Sequence, residues 1–169
     1  MKFFFASVLC WVLFIQSINF KPDRVSVSYS DCDSIPELNK QIITYVKTTI
    51  GKKVDKGECW DLAAQALNSV DAKWDKKYVF GEEINAKKEC VFPGDIIQFE
   101  GVKISYEENG TYYKENIAHH TAIIFEVKDK GSFILAQQNT SAHGRKVSLD
   151  PLELKHITKG KFKIYRPIR

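Results

Sequence analysis

The hydrophobic pattern of the chain changes character once, and that change restricts the folds open to it. Between Pro36 and Ile50 the apolar residues Leu38, Ile42, Val46 and Ile50 recur every four positions, which gathers them on one helical face. Ser34 is placed to cap the first turn and Gly51 to stop the last. A second helix is predicted from Cys59 to about Val70, with Trp60, Ala63, Ala64, Leu67 and Val70 on its buried side. Residues 74–92 read as a loop. Beyond the turn signal Pro93-Gly94 the texture is that of strands: 95–100, 102–106, a return strand from Tyr112-Tyr113, then 120–127, 132–139 and 162–166. Asn109-Gly110 is the strongest short hairpin signal available, and a short helical turn is expected around Pro151 to Leu154. Helices followed by an antiparallel meander argue for one α+β domain, and no internal repeat divides it.

Composition narrows the function classes. With 44% hydrophobic and 12% aromatic residues in 169, the chain can bury enough apolar surface to offset its lost entropy, which excludes a disordered protein. The net charge of +4 arises from 25 Lys and Arg interleaved with 21 Asp and Glu. That is no basic stripe, so no nucleic-acid partner is expected; the charge supports only a weak preference for an anionic surface or polymer.

Met1-Lys2, the apolar run Phe3 to Ile15 and the small polar stretch Gln16 to Asn19 form the pattern of a secretory signal. The run is shorter than the roughly 20 apolar residues of a membrane anchor. We therefore expect residues 1–19 to be a signal peptide, 20–169 a single secreted domain, and no membrane contact after cleavage. Removing Cys10 with the signal leaves Cys32, Cys59 and Cys90, an odd number in an oxidising compartment. Cys32 and Cys90 lie in polar connecting stretches, whereas Cys59 opens a helix. A Cys32–Cys90 disulfide and a free Cys59 follow, the closed loop contributing about 4–5 kcal/mol in the chain-entropy picture.

The segment Gly57-Glu58-Cys59-Trp60-Asp61-Leu62-Ala63 is the most informative in the chain. A thiol in the first turn of a helix meets unpaired N–H groups and the positive end of the helix dipole, which are expected to lower its pKa and expose the nucleophilic thiolate. Gly57 before it leaves room for a substrate backbone. His119 and His120 open a strand and point to opposite faces, so only one can face Cys59. His120 shares its face with Ala122 and Ile124, which reads as the packed side beneath a helix, and is the expected base; His119 is left at the rim. Opposite faces also prevent the two His from ligating one ion, so no metal is expected. Gln137 and Asn139 lie two apart on the next strand, where either could hold the other ring nitrogen of His120.

A Cys at a helix start, a His opening a strand and a polar residue on the following strand resemble the NlpC/P60 and CHAP superfamily of papain-like cysteine amidases and peptidases. Pro93-Gly94-Asp95 resembles the strand motif that precedes the His in that family. Gln137-Gln138-Asn139 resembles the CHAP pattern E-Q-N, with Gln137 standing where the family has Glu. Among these proteins, a small secreted form without a wall-binding module is similar to type VI secretion amidase effectors and to the domesticated amidase effectors of arthropods. The resemblance implies a cofactor-free, monomeric, antibacterial cysteine amidase with Cys59, His120, Gln137 and Asn139 in its site. Its partners would be bacterial peptidoglycan stem peptides or crosslinks. Two rivals share the same residues: a catalytically idle binding module of this fold, and a general peptidase or transglutaminase-like acyl transferase.

Two sequons remain. Asn109-Gly110-Thr111 at a hairpin tip is expected to be available to a glycosylating host, and Asn139-Thr140-Ser141, inside the cleft, is not.

Overall fold

The computed structural model describes residues 32–169; the predicted signal segment 1–19, with Cys10, lies outside the described residues. Two helices, α1 (Glu37–Thr49) and α2 (Cys59–Ser69), precede the strands β1 (Glu82–Ile84), β2 (Ile96–Glu108), β3 (Thr111–Asp129), β4 (Ser132–Gln137), β5 (Ser148–Glu153) and β6 (Ile157–Arg166). The strands form one antiparallel sheet in the order β1-β6-β2-β3-β4-β5. The α+β class and the helices-then-meander layout are as the sequence predicts.

Alternation along the central strands divides the core in two. Ile96 and Ile123 face the helices, in a cluster with Ile42, Val46, Leu62 and Ala66. Their neighbours Ile97 and Ile124 point the other way, into a cluster with Phe99, Ala122, Phe133 and Leu152. Burial of each Ile, Leu, Val and Phe side chain among them contributes about 1.5–3 kcal/mol.

Several expectations are corrected. Helix α1 begins at Glu37 behind Pro36, with no side-chain cap from Ser34, because the proline backbone itself supplies the entry and its carbonyl accepts from the Lys40 N–H. Ile50 is 39% exposed rather than buried, since the helix ends at Thr49 and Ile50 leaves helical geometry to bridge Val147. Trp60 is half-buried against Trp74. Asp95 precedes the strand, and the two short strands expected on each side of Asn109-Gly110 are continuous runs of 13 and 19 residues. The loop of residues 74–92 contains β1, which adds to β6. The stretch expected to turn at Pro151 is the edge strand β5, where a proline removes no needed ladder bond, and the helical turn follows at Leu154–His156.

Cys32 and Cys90 are joined by a disulfide, and Cys59 is the free cysteine among the described residues. Beside the disulfide, Asp95 is fully buried and accepts from Arg166 (2.9 Å), Asn39 (2.8 Å) and the Phe92 N–H (2.9 Å). Gly94, at φ 90°, is required here: a Cβ would come within 2.6 Å of the Asn39 carbonyl oxygen. This cluster fastens α1 to the start of β2 and the end of β6.

Candidate active site

The pairing between β3 and β4 stops at Ile123 and Ala136 and does not reach Thr121 and Gln138. The start of α2 meets the sheet at this opening. Gln138, fully buried, donates to the carbonyls of Val54 (3.1 Å) and Glu58 (2.7 Å) and accepts from the Val54 N–H (3.2 Å). Glu58 and Asp61 close a capping box, the Glu58 N–H donating to Asp61 at 2.9 Å. Asn139, in left-handed geometry at φ 64°, donates to the Glu58 carboxylate at 2.8 Å, and Arg145 pairs with the other oxygen at 3.1 Å. The space beside Gly57, expected to admit a substrate, is instead occupied by the Arg145 side chain, 2.8 Å from where a Cβ would stand.

Cys59 is the first residue of α2. The neighbouring backbone N–H groups of Thr121, Trp60 and Cys59 itself favour the thiolate. Burial works against them and is the larger influence, with the Glu58 charge adding to it, so the thiol is pushed up, not down as the helix position alone suggests. The resting thiol is protonated.

His120 sits on β3 opposite Phe99, whose ring stacks at 6.5 Å. Burial lowers its pKa; the Gln137 hydrogen bond opposes this and the nearby His119 reinforces it. The face it shares with Ala122 and Ile124 is not the one beneath the helices: Thr121 and Ile123 take that place, because both faces of these strands are buried and the apolar pattern favours neither. No hydrogen bond joins Cys59 to His120. The backbone N–H of Thr121, the residue after His120, is near enough to the sulfur to favour its thiolate. His119 lies on the opposite face, paired with Glu100 at 2.9 Å and edge-on to Tyr78 at 4.5 Å.

Of the two polar candidates, the structure brings Gln137 to the imidazole and takes Asn139 to Glu58. Gln137 Oε1 is 2.9 Å from His120 Nε2. Its amide Nε2 donates to Asp150 at 3.0 Å, and Asp150 also meets Ser148 (2.6 Å) and His143 (3.0 Å). Sequence reading missed Asp150, which lies just ahead of the turn expected at Pro151 to Leu154, and gave Gln138 no role beyond its place in the run that resembles E-Q-N. A cleft of about 470 Å³ is lined by Phe99, His120, Leu135, Gln137, Asn139 and Leu152. Cys59 is not among its lining residues. Among the described residues no group of three or more His, Cys, Asp or Glu side chains is arranged to hold a metal ion.

Residues 36–169 match the family description AIM3/BBC1 Cysteine proteinase-fold domain. Two solved structures are similar to the chain. The crystal structure of Ly7917 with the hydrolyzing product of MDP is 14% identical with a TM-score of 0.47, over 76% of this chain and 62% of that one. The crystal structure of Ly7917 is 14% identical with a TM-score of 0.42, over 75% and 62%. The chain thus spans less than two thirds of the Ly7917 chain. No curated protein matches the sequence.

Proposed function

The chain belongs to the AIM3/BBC1 cysteine proteinase-fold domain family, and from that premise we propose that it is a secreted cysteine amidase or endopeptidase of bacterial cell-wall peptidoglycan, with an antibacterial role. The observation that carries this reading is that adjacent side chains of one segment hold both partners: Gln138 donates to the carbonyl of Glu58, just before Cys59 at the first turn of α2, and Gln137 holds His120.

With a protonated thiol and a neutral imidazole at rest, the first step is proton transfer. In the substrate complex, with the two side chains brought within hydrogen-bond reach, His120 Nδ1 takes the Cys59 proton and the thiolate attacks the amide carbon. The Cys59 backbone N–H donates to the resulting oxyanion, an interaction worth about 2.7–4 kcal/mol in such sites. Collapse breaks the C–N bond, and the amine leaves with the proton from His120. His120 then deprotonates a water, which cleaves the thioester to a carboxylic acid and restores the thiol.

The substrate class follows the resemblance of Cys59-Trp60-Asp61, Pro93-Gly94-Asp95, His120-Thr121-Ala122 and Gln137-Gln138-Asn139 to the NlpC/P60 and CHAP enzymes. Secretion is supported by the signal pattern in residues 1–19 and by the Cys32–Cys90 disulfide. No helix among the described residues is long and apolar enough to cross a membrane. Mass analysis of muropeptides from purified sacculi tests the reading: the protein should generate new amine and carboxyl termini in stem peptides, and Cys59→Ala should not. Release by the alanine variant would sink it, and cleavage of denatured protein but not sacculi would favour the general peptidase.

A second reading, the idle binding module, is favoured by one observation: the raised thiol lacks a hydrogen bond to His120. Retention of the wild-type protein on sacculi with no new termini would establish it.

A further inference from the structure

Asp150 stands at the end of a chain of side chains that begins at His120. It reaches Gln137 because of sheet register: Gln137 pairs with Ser148, and Asp150, two residues on, shares the face of Ser148. A carboxylate only accepts hydrogen bonds, so the end of Gln137 that lies 3.0 Å from Asp150 Oδ2 must be the NH2 group. The carbonyl end therefore faces His120, 2.9 Å from Nε2. A carbonyl also only accepts, so Nε2 carries the ring proton, and in a neutral imidazole Nδ1 is left with a free lone pair.

We infer that Asp150 is a positioning residue that fixes, through the Gln137 amide, the one tautomer of His120 able to take a proton from Cys59. This deepens the hydrolase reading above and rests on it. Alone, Gln137 could not impose that choice. The two ends of its amide are nearly the same shape, and turning it would serve a proton on Nδ1 equally well. An acceptor-only group behind it removes the ambiguity. Asp150 is suited to this because it stays ionised. Burial pushes its carboxyl up, but the donors from Gln137 and Ser148 and the neighbouring His143 hold it below the ordinary aspartate value. The carboxylate that the E-Q-N pattern would place on the imidazole is thus present one side chain further back.

The tautomer is read directly from the 15N shifts of the His120 ring at neutral pH in Cys59→Ala protein, where no turnover interferes. The expected result is a proton on Nε2, giving way to a mixture when Asp150→Asn is added. In protein with Cys59 intact, Asp150→Asn should lower kcat about 10- to 100-fold with little change in KM. The double variant Gln137→Glu/Asp150→Asn should recover most of the loss, because the carboxylate then accepts from Nε2 directly with an amide behind it; a merely structural role would give no such rescue. A proton on Nδ1 in the parent, tautomer populations unmoved by Asp150→Asn, or a double variant no better than the single one would each overturn the inference. Continued wall cleavage by Cys59→Ala would remove the hydrolase reading while leaving the tautomer result standing.

Discussion

The Gln138 side-chain amide donates at 2.7 Å to the carbonyl of Glu58, the residue immediately before Cys59. Three consecutive side chains therefore divide the work of assembly: Gln137 holds the imidazole, while Gln138 and Asn139 hold the start of the thiol-bearing helix. Substitutions along this tripeptide should separate accordingly. Gln138→Ala leaves the buried Val54 N–H without its side-chain acceptor and should cost about 1–3 kcal/mol in urea unfolding, with activity falling as α2 loosens. Gln137→Ala should lower kcat strongly and stability little. Asn139→Ala removes an exposed hydrogen bond and puts a less tolerant residue at φ 64°, so it should cost about 1–2 kcal/mol of stability, with near-parental activity. Equal loss of activity from Asn139→Ala and Gln137→Ala would contradict this division.

The pH dependence follows from two opposed shifts with one main cause. Burial holds His120 below its ordinary 6.5 and Cys59 above its ordinary 9.0. Between those limits both groups are neutral, and His120 can act as a base. The acid limb of kcat/KM should therefore lie below pH 6.5, with activity kept as pH falls to that value and lost as it falls through the lowered pKa of His120. Alkylation of the resting thiol by iodoacetamide should be slow at pH 5.5 and climb with a midpoint above 9.0. A fast plateau in acid would instead reveal a standing thiolate–imidazolium pair.

Much of this arrangement is legible before any coordinates. The Asn109-Gly110 hairpin, the helix beginning at Cys59 and the Cys32–Cys90 pairing follow from turn chemistry, periodicity and the polarity around each cysteine. The orientation of His120 does not, because Ala122-Ile123-Ile124 is apolar at every position and such a run does not say which face meets a helix. Asp150 is equally hidden. Its strand contains Pro151, which demotes a run to turn or loop unless the strand is known to lie at the sheet edge, and the turn expected from Pro151 to Leu154 leaves Asp150 in no element. The direction of the Cys59 shift required knowing how deeply α2 beds into the sheet, since the dipole and burial act on the thiol with opposite sign.

The two sequons should behave differently in a glycosylating host. Asn109 is exposed in a turn with positive φ at both Asn109 and Gly110, whereas the Asn139 amide is engaged with Glu58. Secretion from a eukaryotic host should add one glycan, at Asn109, found by mass spectrometry of peptides and harmless to wall cleavage. A glycan on Asn139 in active protein would remove that residue from the site.

The disulfide and the Asp95–Arg166 pair should be energetically coupled, because Arg166 also donates to the Cys90 carbonyl and stacks over Phe92 at 4.7 Å. Removing the Cys32–Cys90 bond, which closes a sequence separation of 58 residues, should lower stability by about 4 kcal/mol in the chain-entropy picture. Asp95→Ala leaves the Arg166 guanidinium without its carboxylate and should cost about 3–5 kcal/mol. Asp95→Asn should cost less, since burial already pushes the Asp95 carboxyl up and an amide can keep part of its hydrogen bonding. In a double-mutant cycle measured by chemical denaturation, the two losses should fail to add by at least about 0.5 kcal/mol, because without the disulfide the Cys90 carbonyl is free to leave Arg166. Strict additivity would mean that the staple acts only on the unfolded chain and does not hold the Arg166 contacts in place.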